Sequence, residues 1–286
     1  MESPLVKLNT DEFPPLLHEI NDPPKELWRR GNPLNHNHTF LAIVGARKYS
    51  NYGKEICEKL IAGLNGYPVT IISGLALGID GIAHRAALAN NIHTVAIPGS
   101  GLNTDVLYPR SHVRLADEIL KSGGALISEF EPDFKATQWS FPKRNRIMAG
   151  MSHAVLVIEA ERRSGTLITS RLATEYNRDV FTIPGSVFSK NTEGPHMLIR
   201  NGATPITCTE DLLEALGFEA KEVIKQSSIS SSPDEQRILD YLSEPRSRDE
   251  IAIYIDAPIH ELNVLLSTLE IKGLIIEQLG KISTVK

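Results

Sequence analysis

The sequence predicts an α/β protein with two domains: a doubly wound parallel sheet of the extended Rossmann type and a small C-terminal winged-helix domain. Short apolar runs alternate with longer amphipathic stretches through most of the chain. The runs do not alternate polar and apolar residues, which is typical of strands covered on both faces. Strands and helices that alternate at this spacing favour a parallel sheet with right-handed crossovers. A serine-rich stretch then separates these strands and helices from a C-terminal segment with its own helical pattern.

The composition is that of an ordinary globular protein. Of the 286 residues, 41% are hydrophobic and 23% are charged, and these values exclude wholesale disorder. The longest apolar runs, residues 40–44 and 69–72, are far shorter than the roughly 20 residues that cross a membrane. The first residues lack the basic start and apolar core of a secretory signal. We therefore expect a cytoplasmic protein with no membrane insertion.

Cysteine content and net charge exclude further classes. Cys57 and Cys208 are the only cysteines, too few for a disulfide framework or a multi-cysteine metal site, and we expect no bound metal. The formal net charge is −5 and the sequence pI is about 6.0. A surface that binds nucleic acid would therefore have to concentrate its positive charge locally.

The elements of the larger domain follow from the pattern in chain order. Residues 1–38 are rich in proline and asparagine and predict an extension without a core of its own, holding at most a short amphipathic element around residues 26–30. Residues 39–220 form the Rossmann-type domain. We expect strands at residues 40–44, 69–72, 94–97, 125–128, 154–159 and 180–183. The amphipathic stretches predict helices near residues 52–65, 79–90, 111–122, 144–150, 166–177 and 195–201.

The C-terminal part begins after a linker. Residues 221–233 contain five serines and few bulky side chains, a composition typical of a hydrophilic linker. Residues 234–286 then predict helices at 234–243, 247–254 and 259–272, followed by a hairpin of residues 274–278 and 281–285 around Gly280. Three helices followed by a two-stranded wing indicate a winged-helix domain.

Glycine and hydroxyl residues directly follow five of the predicted strands. In an open parallel sheet, ligands bind at the carboxyl ends of the strands. Glycine lets backbone N–H groups come close to a ligand, and the helix N-termini that follow carry partial positive charge. The pattern favours a shallow anion-binding floor, although tight turns between strands and helices need glycine in any case. The candidate residues in these segments are Arg47, Lys48, Ser73, Gly74, Ser164, Gly165 and Thr166.

The segment 139–150 combines aromatic and cationic residues. Two aromatics precede three cations within four positions, which is the composition expected where bases stack and phosphates are neutralised. Its candidate residues are Trp139, Phe141, Lys143, Arg144, Asn145 and Arg146.

A purely structural role for the same segment stays open. Phe141 would then belong to the core. The two arginines, Arg144 and Arg146, would pair with acidic side chains nearby in the sequence, namely Glu129, Glu131 or Glu159.

Several enzyme classes find no support. The first glycine-rich loop does not contain G-x-G-x-x-G, because Arg47 stands where a second glycine would admit a pyrophosphate. The sequence has no G-x-x-x-x-G-K-[ST] loop, no H-E-x-x-H and no G-x-S-x-G. We therefore expect no cofactor, no ATPase activity and no zinc or nucleophilic catalysis.

The motifs, taken in order, resemble the bacterial DNA-processing protein A family (DprA, also called Smf). They are GAR at 45–47, SGLALGID at 73–80 with His84, FPKRNRI at 141–147, SGT at 164–166 and PG at 184–185. The resemblance runs from about Phe13 to Phe218. It implies a Rossmann-type domain that binds single-stranded DNA and loads the recombinase RecA onto incoming strands during natural transformation. It also implies a homodimer without known catalysis, and the sequence itself shows no unmistakable dimer interface.

The resemblance also implies roles for individual residues. Arg47, Lys143 and Arg144 would contact phosphates, and Phe141 or Trp139 would offer a stacking surface for bases. With four to six phosphates neutralised, the affinity should fall steeply with salt.

Two further expectations concern Asp80, in the motif at residues 73–80, and His84. We expect Asp80 to cap a helix start rather than to contact a ligand. We expect His84 to be buried and hydrogen-bonded rather than catalytic.

Two features depart from the family pattern. Many members carry an N-terminal helical domain of the sterile-alpha-motif type, and only about 38 residues precede the first predicted strand, so we expect that module to be absent. The predicted winged helix has six Lys/Arg against ten Asp/Glu, and its third helix has no cation before Lys272. A helix that reads duplex DNA needs the opposite sign, so we expect a protein-contact or auxiliary role for this domain.

The leading hypothesis is a non-enzymatic mediator that binds single-stranded DNA, and two rival functions remain beside it. Ser164-Gly165-Thr166 with Glu175 loosely resembles the lysine-decarboxylase-like phosphoribohydrolases, in which Glu159, Glu161 or Glu175 would act as general acid or base. A small nucleotide, however, does not require an aromatic and basic segment as long as 139–146. The other rival is a binding module for a small phosphorylated regulator.

Overall fold

The structure, a computed structural model, describes residues 3–219, 233–242, 244–256, 258–271, 274–278 and 280–284. By their internal contacts, Met1–Ala220 and Lys221–Lys286 form two separate units. The predicted linker lies outside the described residues except for Pro233, which begins a helix.

A mostly parallel sheet organises the first unit. Its strands are β1 Leu5–Leu8, β2 Leu27–Gly31, β3 Thr39–Val44, β4 Val69–Ser73, β5 His93–Ala96, β6 Ala125–Ser128, β7 Ala154–Val157, β8 Asp179–Thr182 and β9 Thr204–Pro205. They lie in the order β1-β2-β6-β5-β4-β3-β7-β8-β9. The strands β3 to β9 pair in parallel, and β1 and β2 add to one edge in antiparallel orientation. The predicted α/β fold class is confirmed.

The unalternated apolar runs are explained by burial on both faces of the sheet. In β3, Phe40, Ala42 and Val44 belong to one hydrophobic core, while Leu41 and Ile43 belong to the core on the opposite face. Successive side chains of a strand point to opposite faces, so a strand between two helical layers needs apolar residues at every position.

Helices cover both faces. They are α1 Asn51–Gly63, α2 Ile79–Ala89, α3 Val113–Lys121, α4 Ser140–Met151, α5 Thr166–Glu175, α6 Glu193–Arg200 and α7 Thr209–Ala215. Side chains of α1, α2 and α7 enter one core, and side chains of α4, α5 and α6 enter the other. The helix α3 packs against β5 and β6 beside α2. Among the described residues, no helix is long and apolar enough to span a membrane.

The N-terminal residues differ from the sequence expectation. The sequence predicts an extension without a core of its own before residue 39, but β2 pairs with β6, with Trp28 opposite Ser128, and β1 pairs with β2. Leu17 and Ile20 are buried in the core beneath α4. The sequence signal was weak because only one residue of β2, Leu27, is fully buried, so the strand lacks the apolar run that marks the others.

The helix α4 begins earlier than predicted. It starts at Ser140 rather than near residue 144, and Pro142 therefore lies in its first turn. Proline is tolerated there because the first N–H groups of a helix have no partner within the helix. The strand β9 and the helix α7 were not predicted at all.

The second unit is a winged helix, as predicted. Its described elements are α8 Pro233–Tyr241, α9 Arg248–Ile255, α10 Ile259–Ile271 and the antiparallel strands β10 Ile275–Gln278 and β11 Lys281–Thr284. The three helices and the hairpin share one core, which includes Ile238, Ile251, Leu266 and Ile282. Ser247 caps α9 by accepting a hydrogen bond from the Glu250 N–H.

The strand order fixes where a ligand would bind. From β3 the chain builds β4, β5 and β6 on one side, and it then returns to place β7 on the other side of β3. In open α/β sheets a crevice forms at such a switch point, outside the carboxyl ends of the strands. The loops after β3 and β7 therefore flank the expected site.

Candidate nucleic-acid interface

A cleft of about 710 Å³ lies at this switch point. Four parts of the first unit line it: the loop after β3, the segment after β4 that holds Ala76 and Asp80, the segment from the β7–α5 loop into α5, and one face of α4. The lining residues are 44–48 and 163–166, with Ala76, Asp80, Gln138, Phe141, Pro142, Arg144, Asn145, Met148, Glu161, Ile168 and Thr169. Four cationic side chains thus face two carboxylates, and the cleft is positive although the whole chain is acidic.

Planar groups form a row that begins in the cleft: Arg47 and Phe141 line it, and Tyr108 lies next to Phe141 outside the lining. The Arg47 guanidinium lies over the Phe141 ring, with 5.6 Å between its central carbon and the ring centroid. The ring of Tyr108 lies 5.5 Å from that of Phe141, centroid to centroid, and Tyr108 is 45% exposed. Gly99 lets the Phe141 ring lie against the loop after β5, because a Cβ at that position would come within 2.6 Å of the ring.

Arg47 and Lys48 are exposed, and neither forms an ion pair within the described part of the chain. The predicted cations of the first loop are therefore available to a ligand. Tyr108 was missed by the sequence analysis, since it lies more than 30 residues from Phe141 and belongs to no recognisable motif.

The helix α4 separates the predicted aromatic and basic segment into two faces. Phe141, Arg144, Asn145 and Met148 line the cleft, at the i, i+3, i+4, i+7 spacing of one helix face. The other three candidates, Trp139, Lys143 and Arg146, do not line it. Each residue turns the helix by about 100°, so neighbours in sequence necessarily point in different directions.

Arg144 is a buried cation of the cleft lining. Only 5% of it is exposed, and its Nη1 donates to the carbonyl oxygens of Gly74 and Ile97. Burial lowers the pKa of Arg144 to about 10, so the group remains charged at neutral pH. Two of its donors are thus engaged, Nη1 by these carbonyl groups and Nε by the Asn145 Oδ1, and a direct phosphate contact by Arg144 stays a prediction. Arg144 shapes the floor of the cleft and adds positive charge to it.

Asp80 holds the loop after β4. Its Oδ2 accepts hydrogen bonds from the N–H groups of Gly74 (3.1 Å) and Ala76 (3.3 Å). The N-cap of α2 is Gly78, at φ +86°, and not Asp80; the expected capping role is therefore wrong. Burial raises the pKa of Asp80, and the nearby Arg144 opposes that shift. Gly74 is thus held by Asp80 through its N–H and by Arg144 through its carbonyl.

The opposite face of α4 is a separate cluster. The Lys143 Nζ lies 3.5 Å from a Glu129 oxygen and 5.8 Å from the centroid of the Trp139 ring. Arg146 is buried and pairs with Glu129, which agrees with the structural alternative for this arginine. Burial raises the pKa of Glu129, and Arg146 and Lys143 oppose the shift. Trp139 is half-exposed against Phe130.

Of the predicted strand-end residues, Ser164, Gly165 and Thr166 line the cleft, and Ser73 and Gly74 do not. Ser73 is buried and donates to the Ile43 carbonyl oxygen at 2.6 Å. Ser164, Gly165 and Thr166 form the start of α5 and line the cleft. Asn145 Nδ2 donates to the Gly165 carbonyl oxygen at 3.4 Å and thereby ties α4 to this loop.

The carboxylates of the enzyme hypothesis are not gathered at one place. Glu159 is buried, and its oxygens accept hydrogen bonds from Ser50 and from Asn191. Glu161 lines the cleft. Glu175 lies 3.5 Å from Arg171 on the exposed side of α5 and does not line it.

His84, as predicted, is buried and hydrogen-bonded. Its Nδ1 lies 2.7 Å from the Thr94 Oγ1. Among the described residues, no group of three or more His, Cys, Asp or Glu could hold a metal ion.

Comparison with known proteins agrees with this geometry. Residues 5–217 match the family model of DNA recombination-mediator protein A, and residues 224–281 match that of the DprA winged helix domain. The chain belongs to the DNA recombination-mediator protein A family. The resemblance inferred from the motifs is confirmed, and the match begins at residue 5, in the strands that the sequence analysis had placed outside the domain.

Curated members of the DNA recombination-mediator protein A family are similar to this chain in sequence. Protein Smf of Escherichia coli is 46% identical over 215 residues, 75% of this chain and 57% of that protein, so the match spans little more than half the length of that relative. DNA processing protein DprA of Streptococcus pneumoniae is 42% identical over 215 residues, 75% of each chain.

Two solved structures of DNA processing protein A superpose on this fold. The X-ray structure of the Streptococcus pneumoniae protein has a TM-score of 0.68 at 41% identity and covers 76% of this chain and 75% of its own. The structure from Helicobacter pylori has a TM-score of 0.67 at 29% identity and covers 76% of this chain and 98% of its own; it reports a single-stranded DNA binding mode for that protein.

Proposed function

We propose that the protein binds single-stranded DNA in the cleft between the carboxyl ends of β3 and β7, without catalysing a reaction. The arrangement of Arg47 over Phe141, next to the exposed ring of Tyr108, carries the proposal. A phosphate would bind the guanidinium, and a base would stack on the aromatic row. Lys48 and Arg163, both exposed at the cleft, would neutralise neighbouring phosphates.

Selectivity for single strands follows from the position of the aromatic rings. Bases can stack on Phe141 and Tyr108 only when their faces are free, and a duplex keeps them paired and stacked. Phosphate contacts and stacking carry little base identity, so binding should be largely independent of sequence.

We also propose, from family membership, that the protein loads RecA onto incoming strands during natural transformation, as a homodimer in the cytoplasm. The winged helix would serve this role by contacting protein rather than duplex DNA. Its arginines support this, because Arg237, Arg246 and Arg248 each lie within 4.0 Å of a carboxylate. Cations held in ion pairs are poorly placed to neutralise the phosphates of a duplex.

The rival functions are less well supported. A phosphoribohydrolase needs a carboxylate near the reacting bond, and the hydroxyl and amide groups of Ser50 and Asn191 already engage Glu159. Release of free base from nucleoside monophosphates, abolished by Glu161→Gln or Glu175→Gln, would favour the enzyme. Thermal shifts with a panel of phosphorylated small molecules, together with no affinity for oligonucleotides, would favour the regulator-binding module.

The proposal is tested by fluorescence anisotropy with labelled oligo-dT and a hairpin duplex across a salt series. Three exposed cations line the cleft, Arg47, Lys48 and Arg163. We therefore expect log affinity for a short oligo-dT to fall with log salt at a slope of about −2, at roughly 0.7 per phosphate contact. The hairpin should bind more weakly. A flat salt response, or equal affinity for the duplex, would contradict the proposal.

A further inference from the structure

We infer that Asn191 and Glu159 are positioning residues, which hold the loop after β3 (residues 45–50) in the shape that presents Arg47 and Lys48 to a DNA strand. Neither Asn191 nor Glu159 lines the cleft, so they would act through the loop and not by contact with DNA. This inference rests on the proposed function, since it concerns how the same binding site is assembled.

Glu159 is a buried carboxylate at the centre of a hydrogen-bond network. It follows β7 and is only 1% exposed. Its Oε2 accepts hydrogen bonds from the Ser50 N–H at 2.9 Å and from the Asn191 Nδ2 at 3.2 Å, and its Oε1 accepts one from the Ser50 hydroxyl. It forms no ion pair with any described residue. A buried carboxylate without a cation depends on neutral donors, so Glu159 fixes the groups that supply them.

The contacts of Ser50 tie one end of the loop to α1 and to β7. Ser50 is the N-cap of α1, and its hydroxyl oxygen accepts a hydrogen bond from the Gly53 N–H at 3.1 Å. Gly53 leaves room for the Glu159 carboxylate, because a Cβ there would come within 2.5 Å of it. The carboxylate therefore lies against the first turn of α1, where the partial positive charge of the helix stabilises it.

Asn191 joins the middle of the loop to the same carboxylate. Its Nδ2 donates both to the Lys48 carbonyl oxygen at 3.0 Å and to Glu159. Its own main chain is fixed on the end of β7, because its carbonyl oxygen accepts a hydrogen bond from the Ala160 N–H at 2.8 Å. A side chain on a fixed backbone thus holds the main chain of the residue that follows Arg47.

The other end of the loop is held independently. The Gly45 carbonyl oxygen accepts a hydrogen bond from the Thr166 Oγ1 at 3.1 Å, and the Ala46 carbonyl oxygen accepts one from the Ile79 N–H at 3.2 Å. The main chain is therefore fixed on both sides of Arg47. A cation on a fixed loop loses less conformational freedom when it binds a phosphate, and this preorganisation favours binding.

A role in binding accounts for the Asn191 contact better than a role in stability alone. Its hydrogen bond to Lys48 is exposed to solvent, and exposed contacts of this kind change the free energy of unfolding little. The contact nevertheless determines where the main chain of the loop lies. We therefore expect its loss to affect affinity for DNA more than stability.

The test uses the full chain, labelled oligo-dT and fluorescence anisotropy, with urea unfolding in parallel. Asn191→Ala removes the tether to Lys48 and leaves the lining of the cleft intact. The matched control is Asn90→Ala. Asn90 is partly buried, as Asn191 is, and its Nδ2 also donates to a carbonyl oxygen, that of Ala86 at 2.8 Å, but it lies at the end of α2 and does not line the cleft.

We expect Asn191→Ala to bind oligo-dT roughly 5- to 30-fold more weakly, because the backbone of about one loop residue must then become ordered on binding. Its salt slope should stay close to that of the wild type, since both cations still reach phosphates in the complex. In an Arg47→Ala background the same change should weaken binding only about twofold, because the main cation to be positioned is gone. Asn90→Ala should bind like the wild type.

Glu159→Gln provides a second variant in the same network. It keeps the shape of the side chain but replaces an acceptor oxygen by a donor, so one of the Ser50 and Asn191 donors loses its partner. We expect it to weaken oligo-dT binding as well. Its effect should not add to that of Asn191→Ala, because the two changes act on one network; full additivity would contradict this.

Three results have different meanings. Unchanged affinity of Asn191→Ala, with Arg47→Ala still weakening binding, would overturn the positioning role while the proposed function stands. Equal weakening by Asn191→Ala with and without Arg47, or by Asn90→Ala, would overturn it too, because a general structural effect would explain the data. Absence of any affinity of the wild type for oligo-dT would instead refute the proposed function.

Discussion

Replacement of Arg47 by alanine is the most direct probe of the cleft between β3 and β7. The side chain is exposed, and its guanidinium is free of ion pairs among the described residues, so the unfolding free energy should change by less than about 0.5 kcal/mol. A charge-assisted hydrogen bond to a phosphate contributes about 1.5–3 kcal/mol. We therefore expect Arg47→Ala to bind oligo-dT roughly 10- to 150-fold more weakly, with a salt slope shallower by about 0.7.

The assay is anisotropy of labelled oligo-dT at several salt concentrations. Arg47→Lys keeps the charge but lacks the planar fork that binds phosphate in bidentate geometry and lies over Phe141, so its affinity should fall between wild type and alanine. Arg114→Ala is the matched control, since it removes one exposed cation of α3 that does not line the cleft. The reasoning is refuted if Arg47→Ala retains the affinity and slope of the wild type, or if Arg114→Ala weakens binding equally.

Three further perturbations separate binding from stability. Gly165→Ala should leave thermal stability close to that of the wild type, because its Cβ meets no atom within 4 Å. It should lower oligo-dT affinity measurably, because the new methyl would lie in the lining of the cleft between β3 and β7; unchanged affinity would contradict this. Arg144→Met should lower the free energy of unfolding, measured with urea, by about 2–4 kcal/mol, because the carbonyl groups of Gly74 and Ile97 lose their donor. Replacement of the half-exposed Lys143 by alanine should lower it by less than about 1 kcal/mol. Similar losses for the two variants would show that Arg144 is not structural. Burial lowers the pKa of His84 to about 3, so below the unfolded-state pKa of roughly 6.5 only the unfolded chain takes up the proton. The free energy of unfolding should therefore fall by about 2 kcal/mol between pH 7 and pH 5. His84→Gln should lack this part of the pH dependence, and an identical pH dependence would argue against a neutral buried imidazole.

Most of the fold was predictable because its signals are local. A strand buried on both faces requires an unbroken apolar run, as residues 40–44 show, and a tight turn into a helix favours glycine. The strand β2 escaped prediction since it lies near the edge of the sheet, where Trp28 and its neighbours are only partly buried and no continuous apolar run is needed.

The candidate site was predictable in composition but not in geometry. The segment 139–146 indicated a basic and aromatic surface, yet α4 begins at Ser140 and rotates Phe141 toward the cleft and Lys143 away from it. An earlier helix start in the prediction would have grouped Phe141, Arg144 and Asn145 by their spacing alone. No local signal could have placed Tyr108 beside Phe141, because the loop that carries it comes from a different part of the sheet.

By itself, the sequence determined the alternation of strands and helices, the glycine-rich strand ends, the winged helix and the family, since each depends on residues close together in the chain. Only the tertiary structure decided which cations are free. Arg47 lines the cleft and forms no ion pair among the described residues, whereas Arg144 is bound by carbonyl groups from residues 70 and 47 positions away. A side chain's availability to a ligand depends on its neighbours in space, and for Arg144 those neighbours come from the ends of β4 and β5.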